Sequence, residues 1–247
     1  MIYFLRNFSF IILLLLSACG GKSKSSAMRI GVDPAWTSLQ LPEKQTNVTA
    51  FSNELLLEIS RLEEIQIATV ARSWDNLLSG LQDEEYEAVL SSLMPYNFNQ
   101  KQYDFSDIYL MTGPVLVLPY TSKIHSLDKL DGKEIAVQKG SPYAAILEKH
   151  PKILIRIYDS LPQAFNDILT GTLDGAIVPI LIAESYCQDL YSEQLKIATP
   201  PLNDEGLRLI TLHDQATSLM EAFNRGLKKL KENGTYAALA RKWGISE

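Results

Sequence analysis

Cysteine, histidine and excess positive charge are all scarce in this chain of 247 residues. There are two cysteines, Cys19 and Cys187, and three histidines, His125, His150 and His213. Two cysteines are too few for a disulfide-stapled framework. The histidines are scattered without ligand spacing, so no metal site is expected. Lysine and arginine number 23 against 29 aspartates and glutamates, a formal charge of −6. With no basic face or nucleic-acid motif, a nucleic-acid partner is excluded. The cluster Lys228, Lys229, Lys231 reads instead as the solvated end of a helix, matched to its dipole. Beyond the first residues no apolar run reaches membrane-spanning length, and neither repeats nor low-complexity tracts occur.

What is present begins with an address. Arg6 is the only charge before Cys19, and FSFIILLLL (Phe8 to Leu16) has the length of a signal-peptide core, too short for a stable span. LSACG (Leu16 to Gly20) resembles the lipobox of bacterial lipoproteins. That resemblance implies a signal over 1–18 and a diacylglyceryl group on Cys19, whose acyl chains would hold the protein on a membrane. Cys187 is then left without an intramolecular partner and reads as a buried apolar filler. Removal of Arg6 makes the mature chain slightly more acidic. GGKSKSSA (Gly20 to Ala27) offers nothing to bury and reads as a tether, so 19–27 is lipidated Cys and linker. At about 3.5 Å per residue it spans some 25 Å. The folded part starts at Met28.

From there strand and helix periods alternate, which predicts an α/β fold. Met28, Ile30 and Val32 form an alternating strand. AFSNELLLEISRLEE places Phe51, Leu55, Ile59 and Leu62 on one helical face, followed by the strand IQIATVA, the short helix WDNLLSGLQ and the strand EAVLSSL. A long apolar run, GPVLVLPY, precedes a restart: helix SLDKLDG, strand EIAVQKG, helix SPYAAILEKH, strand ILIRIYD, helix LPQAFNDILTG, strand GAIVPIL. Pro200-Pro201 breaks the pattern again, and two amphipathic helices close the chain. Two restarts imply two crossings between lobes, with a ligand cleft at the carboxyl ends of strands. The expected lobes are 28–112 plus 204–247 and 113–203.

Asp33 sits at such a strand end, before Pro34 and three residues from Trp36. One reading makes it a turn residue bonding its own backbone; the other makes it a ligand contact. For a Trp at a helix start, such as Trp74, the corresponding pair is core packing and ligand platform.

IGVDPAW, SWDNLLSGLQ, EAVLSSL, DFSDIY, SLDKLDGKEIAVQKGS and LKENGTYAALARKWG, in this order, resemble the extracytoplasmic solute-binding proteins of polar amino-acid ABC transporters, from about Met28 to Gly244. The resemblance implies a two-lobed periplasmic-binding-protein type II fold with two hinge crossings. It also implies that Asp33 reaches the distal polar group of an amino acid, that Trp36 stacks on its side chain, and that Trp74 forms the opposite wall. A carboxylate accepts charge-assisted bonds from ammonium or guanidinium, and an indole face attracts cations. Ser91 and Ser92 fall where the family holds the ligand α-amino group. Ser141, with Pro142 after it, reads as a helix N-cap whose free N–H groups favour an anion, or as a cap alone.

Two positions depart from the family. Its carboxylate-clamping Arg falls on Asn99, and its amine-pairing acid falls on Pro179. Lys101, two positions along a helix, would point away, and Arg208 near the second crossing is a substitute. The resemblance implies a monomeric, membrane-tethered binder that closes on a small polar, amino-acid-like ligand and serves an ABC permease, without cofactor. The alternatives are a surface or signalling lipoprotein that has lost transport, and a dehydratase-like enzyme, for which no acid/base pair stands out.

Overall fold

The structure, a computed structural model, describes residues 27–39 and 45–245. The leader, Cys19 and most of the linker lie outside them. Two sheets organise the chain. The first has the order β2-β1-β3-β11-β4, with β5 also on β11. It comprises β1 (Met28–Val32), β2 (Ile67–Ala71), β3 (Ala88–Ser91), β4 (Tyr103–Phe105), β5 (Leu110–Met111) and β11 (Gly206–Leu212). The second, β10-β6-β9-β7-β8, comprises β6 (Pro114–Pro119), β7 (Glu134–Gln138), β8 (Leu154–Tyr158), β9 (Gly175–Pro179) and β10 (Leu195–Ile197). Seven helices cover them among the described residues: α1 (Gln45–Leu62), α2 (Trp74–Gln82), α3 (Ala144–Leu147), α4 (Leu161–Leu169), α5 (Ile180–Gln188), α6 (Thr217–Glu232) and α7 (Thr235–Lys242).

Strand alternation decides which helix each face receives. On the first sheet Ile30, Val32, Leu90, Leu207 and Leu209 pack under Phe51, Leu55 and Ile59 of α1 and Phe223 and Leu227 of α6. Val89 and Ile210, on the opposite face, meet Leu77 and Leu81 of α2. The second sheet sets Val115, Val117, Ala176 and Val178 against Phe165 and Ile168 of α4, and Leu116, Ile135, Val137 and Ile177 against Leu147. Each fully buried aliphatic side chain contributes about 1.5–3 kcal/mol, so both sheets are held on both faces.

Several expectations are corrected. GAIVPIL does not continue as a strand: β9 stops at Pro179, which has no N–H to donate and at φ −53° leads into α5. Leu181 of that helix joins the first sheet's core, while Ile182 and Ala183 join the second's. The helix expected over SPYAAILEKH shrinks to four residues, since His150 precedes Pro151. SLDKLDG keeps only a three-residue 3-10 turn, ended by Gly132 at φ +76°. The lysine cluster is not simply solvated. Lys229 pairs with Glu63 at 2.7 Å, and Lys231 donates to the Ile108 carbonyl at 3.2 Å, with its pKa lowered by burial. Cys187 is half-buried beside the second core, and burial pushes its thiol up to about 11. Edge strand β8 leaves Leu154, Ile155 and Ile157 exposed. Among the described residues no helix is long and apolar enough to cross a membrane.

At the far end of β11, His213 is clamped between carboxylates. Asp104 Oδ1 accepts from Nδ1 at 2.8 Å, and Asp214 lies 3.5 Å from Nε2. The sequence pointed to no metal-type cluster, yet the ligating atoms of these three residues lie within 4.8 Å of one another. The hydrogen bond to Asp104, then the two negative charges, raise the imidazole pKa. That favours the imidazolium, whose two N–H groups face both carboxylates. Because the folded-state pKa is raised, the contribution to stability is complete below the unfolded value of about 6.5 and is lost as pH rises through the folded value. The melting-temperature advantage of the unaltered protein over His213→Gln should therefore be larger at pH 5.5 than at pH 8.5. Equal advantages at both would place the bond outside the fold's stability.

Candidate functional site

The parallel strands β2, β1 and β3 end on one edge, and antiparallel β11 begins there, with Arg208 opposite Ser91. Both chain crossings run past this edge. Thr112 N and Gly113 N donate to the Glu205 carbonyl at 3.0 and 3.2 Å, and Leu202 N donates to the Pro114 carbonyl at 2.8 Å. Gly113 is required: a Cβ there would collide with the side chain and the carbonyl of Asn203. Ile180 N donates to the Gly113 carbonyl at 3.0 Å, which ties the start of α5 to the first crossing.

Between these elements lies a cavity of about 160 Å³. Leu39, Ser92, Met94 and Thr112 line it from the first sheet's side and Tyr143 and Pro179 from the second's, with Leu181 of α5, which packs into the first core, between them. Glu205 on the second crossing completes the wall. Its Oε1 accepts from Asn203 Nδ2 at 2.8 Å and its Oε2 from the Tyr143 hydroxyl at 3.3 Å. Burial, and secondarily the Glu205 charge, raise the Tyr143 pKa, so the phenol stays protonated and donates. A larger hollow of about 380 Å³ runs along α6, lined mostly by charged side chains including Asp107, Arg225, Lys228 and Glu232.

Of the expected contacts, Ser92 and Pro179 line the cavity. Ser91 is fully buried behind it, its hydroxyl accepting from Leu93 N at 3.1 Å. Trp74 opens α2 half-buried, packed on the cluster that includes Leu77 and Val89.

Asp33 and Trp36 are not displayed for a ligand. Asp33 is 2 % exposed, and both its oxygens are occupied by the chain itself: Oδ1 accepts from Ala35 N at 3.0 Å and Oδ2 from Thr37 N at 2.8 Å. This is the turn reading, with the carboxylate capping the 3-10 turn Thr37–Leu39. Trp36 is 1 % exposed inside the core of the first sheet, at a left-handed φ of 46°. Its Nε1–H has no partner among the described residues. A strained backbone and an unpaired donor each cost about 1–3 kcal/mol, and both persist because the turn delivers the whole indole to the core.

The remaining positions also differ from expectation. Ser141 is not the cap of α3, which begins at Ala144, and its hydroxyl is buried without a partner among the described residues. Asn99 lies in a turn, not a helix, and its Nδ2 donates to the Met94 carbonyl at 2.8 Å. Lys101 shares that turn, so the helical argument about its direction does not apply. Arg208 is engaged by carbonyls: Nη1 donates to Ser106 at 3.0 Å and Nη2 to Asp204 at 3.4 Å. Its Nε is buried without a partner among the described residues, and burial lowers its pKa against the opposing charges of Asp204 and Asp107. Glu205 and Tyr143 went unnoticed in the sequence. The one available signal was the acidic pair Asp204-Glu205 shortly after the Pro-Pro break.

Residues 28–246 match the family of bacterial extracellular solute-binding proteins, family 3. The chain belongs to this family. It is a family of solute-binding proteins, not of enzymes. The arginine-binding extracellular protein ArtP of Bacillus subtilis is 26% identical over 244 residues, covering 94% of this chain and 93% of that protein. The histidine-binding periplasmic protein of Escherichia coli strain K12 is 25% identical over 225 residues, with coverage of 87% and 86%. The unliganded, open L-cystine solute receptor of Neisseria gonorrhoeae superposes with a TM-score of 0.74 at 20% identity, over 89% of this chain and 93% of that one. That likeness shows a shared two-lobed, type II binding-protein fold.

The bonding of Asp33 sets an expectation. In Asp33→Asn one oxygen becomes an NH2 group facing a backbone N–H, which should cost about 1–2 kcal/mol of stability, the scale of a lost cap. Affinity for a bound solute should stay within twofold. Denaturant midpoints and calorimetry check both, and a large affinity loss at unchanged stability would return Asp33 to the binding site.

Proposed function

We propose that this family member is the extracytoplasmic binding component of an ABC importer for a polar amino acid or amino-acid-like solute. The observation that carries the reading is the cavity bounded by both sheets and by both crossings. A solute there touches both sides at once, so it binds the closed arrangement better than the open one and shifts the population by that difference. The lobes are 28–112 plus 204–247 and 113–203, and motion is concentrated at Thr112–Gly113 and Asn203–Glu205. The relatives' arginine and histidine binding supports an amino-acid-like solute. A reading as an enzyme has no support in the family, which is one of solute-binding proteins.

On this reading the protein acts as a monomer, delivers its solute to a permease, and is held on the membrane by acyl chains on Cys19 through the linker 20–27. A signalling role without transport draws its support from the family anchors replaced by Asn99 and Pro179.

The full chain, purified in detergent, should be stabilised by at least one compound in a thermal-shift screen of amino acids, polyamines and dipeptides. A ligand at 100 times its Kd adds about 2.7 kcal/mol. A flat screen would overturn the solute-binding reading. Cys19→Ala should move the protein from the membrane to the soluble fraction or block its processing, and a variant that still fractionates as a mature acylated chain would overturn the anchor.

A further inference from the structure

We infer that the cavity between the two sheets selects a small organic amine without a free carboxylate: a decarboxylated amino acid, or an amino-acid amide or ester. This rests on the solute-binding reading and names the solute class. Glu205 is the only ionisable carboxylate or cationic side chain among the described residues lining the cavity. Both of its recorded partners, the Asn203 amide and the Tyr143 phenol, are neutral donors. No described lysine, arginine or histidine forms an ion pair with it. A carboxylate accepts about four hydrogen bonds, so Glu205 keeps acceptor capacity and an uncompensated charge at the cavity wall. An ammonium group supplies both missing elements, and charge-assisted bonds of this kind are roughly twice as strong as neutral ones.

A free carboxylate finds the opposite situation. Where the family's arginine would stand, the Asn99 amide is spent on the Met94 carbonyl. Arg208, the nearest alternative, lies outside the lining and gives both terminal nitrogens to the carbonyls of Ser106 and Asp204. A carboxylate entering would therefore face the Glu205 charge without a paired cation, a like-charge contact in a partly desolvated space. The rest of the wall, Leu39, Met94, Pro179 and Leu181, accommodates a hydrocarbon body.

Pairs that differ by one carboxylate test this directly: isoamylamine against L-leucine, cadaverine against L-lysine, and agmatine against L-arginine, titrated calorimetrically into the full chain in detergent. In at least one pair the amine should bind tenfold or more tightly than its amino acid. Glu205→Gln should weaken that amine at least tenfold, while Glu205→Asp, which keeps the charge, should preserve the order within the pair. Amino acids that bind as tightly as or more tightly than their amines overturn the inference and leave the solute-binding reading standing, as does an amine unaffected by Glu205→Gln. A chain that binds neither member of any pair overturns the inference, and binding of a dipeptide in the thermal-shift screen would still uphold the broader reading. The ratio within each pair comes from the unaltered chain, so the test survives a variant that does not fold.

Discussion

The two crossings are pinned to each other chiefly by the Glu205 carbonyl, which accepts from the backbone of both Thr112 and Gly113, with the Leu202 N–H to Pro114 carbonyl bond beside it. The rest of the site depends on this junction. It brings the first residues of β11 against the last of β5, with Gly206 beside Met111. It also turns the Glu205 side chain into the space between the sheets. Glycine at 113 follows from the same closeness, because the chain carrying Asn203 occupies the volume of a Cβ. A backbone bond is a suitable pin for a hinge, since it fixes register while flanking dihedrals absorb rotation. The side chains on either side are then free to respond to a ligand.

The order of elements was legible because alternation of apolar residues with period two, and at helical spacing, is a direct consequence of burial on one face. β1 and α2 follow it closely, and in α6 Leu219, Phe223, Leu227 and Leu230 form the buried stripe. Periodicity fails where an element is apolar all round. The start of α5 is such a place, serving two cores at once through Leu181 and Ile182, and it reads as a continuation of the strand before it. The short strands β4 and β5 escaped for another reason: two or three residues contain no period to detect, and only their pairing with β11 defines them.

The candidate site was legible in place but less so in its residues. Ser92 and Pro179 are where a cleft at strand ends puts them. Asp33 and Trp36 were drawn to the ligand by resemblance, whereas the residue chemistry alone, an Asp before a Pro, already described a turn. Both of its oxygens are satisfied by backbone within four residues, a local solution that needs no ligand. Tyr143 and Glu205 could not be found by pattern, since they come together across 62 residues of sequence. Their contact arises from how β7 and the second crossing end on facing edges.

Placement of charge follows from the same topology. A residue on a sheet interior must be apolar or paired, but a residue on a crossing is neither fully solvated nor packed, and so can retain a charge at moderate cost. Glu205 occupies that middle ground, half-buried and met among the described residues by the neutral donors Tyr143 and Asn203. Arg208, three residues on, has entered the sheet and gives its two terminal nitrogens to the carbonyls around it, while its Nε has no partner among the described residues. Within one short segment the chain thus consumes its cation in structure and leaves its anion facing the cavity. The sign of the field a solute meets is set by which of the two lies on the crossing, and a swap of their positions would reverse it without altering the sheet order.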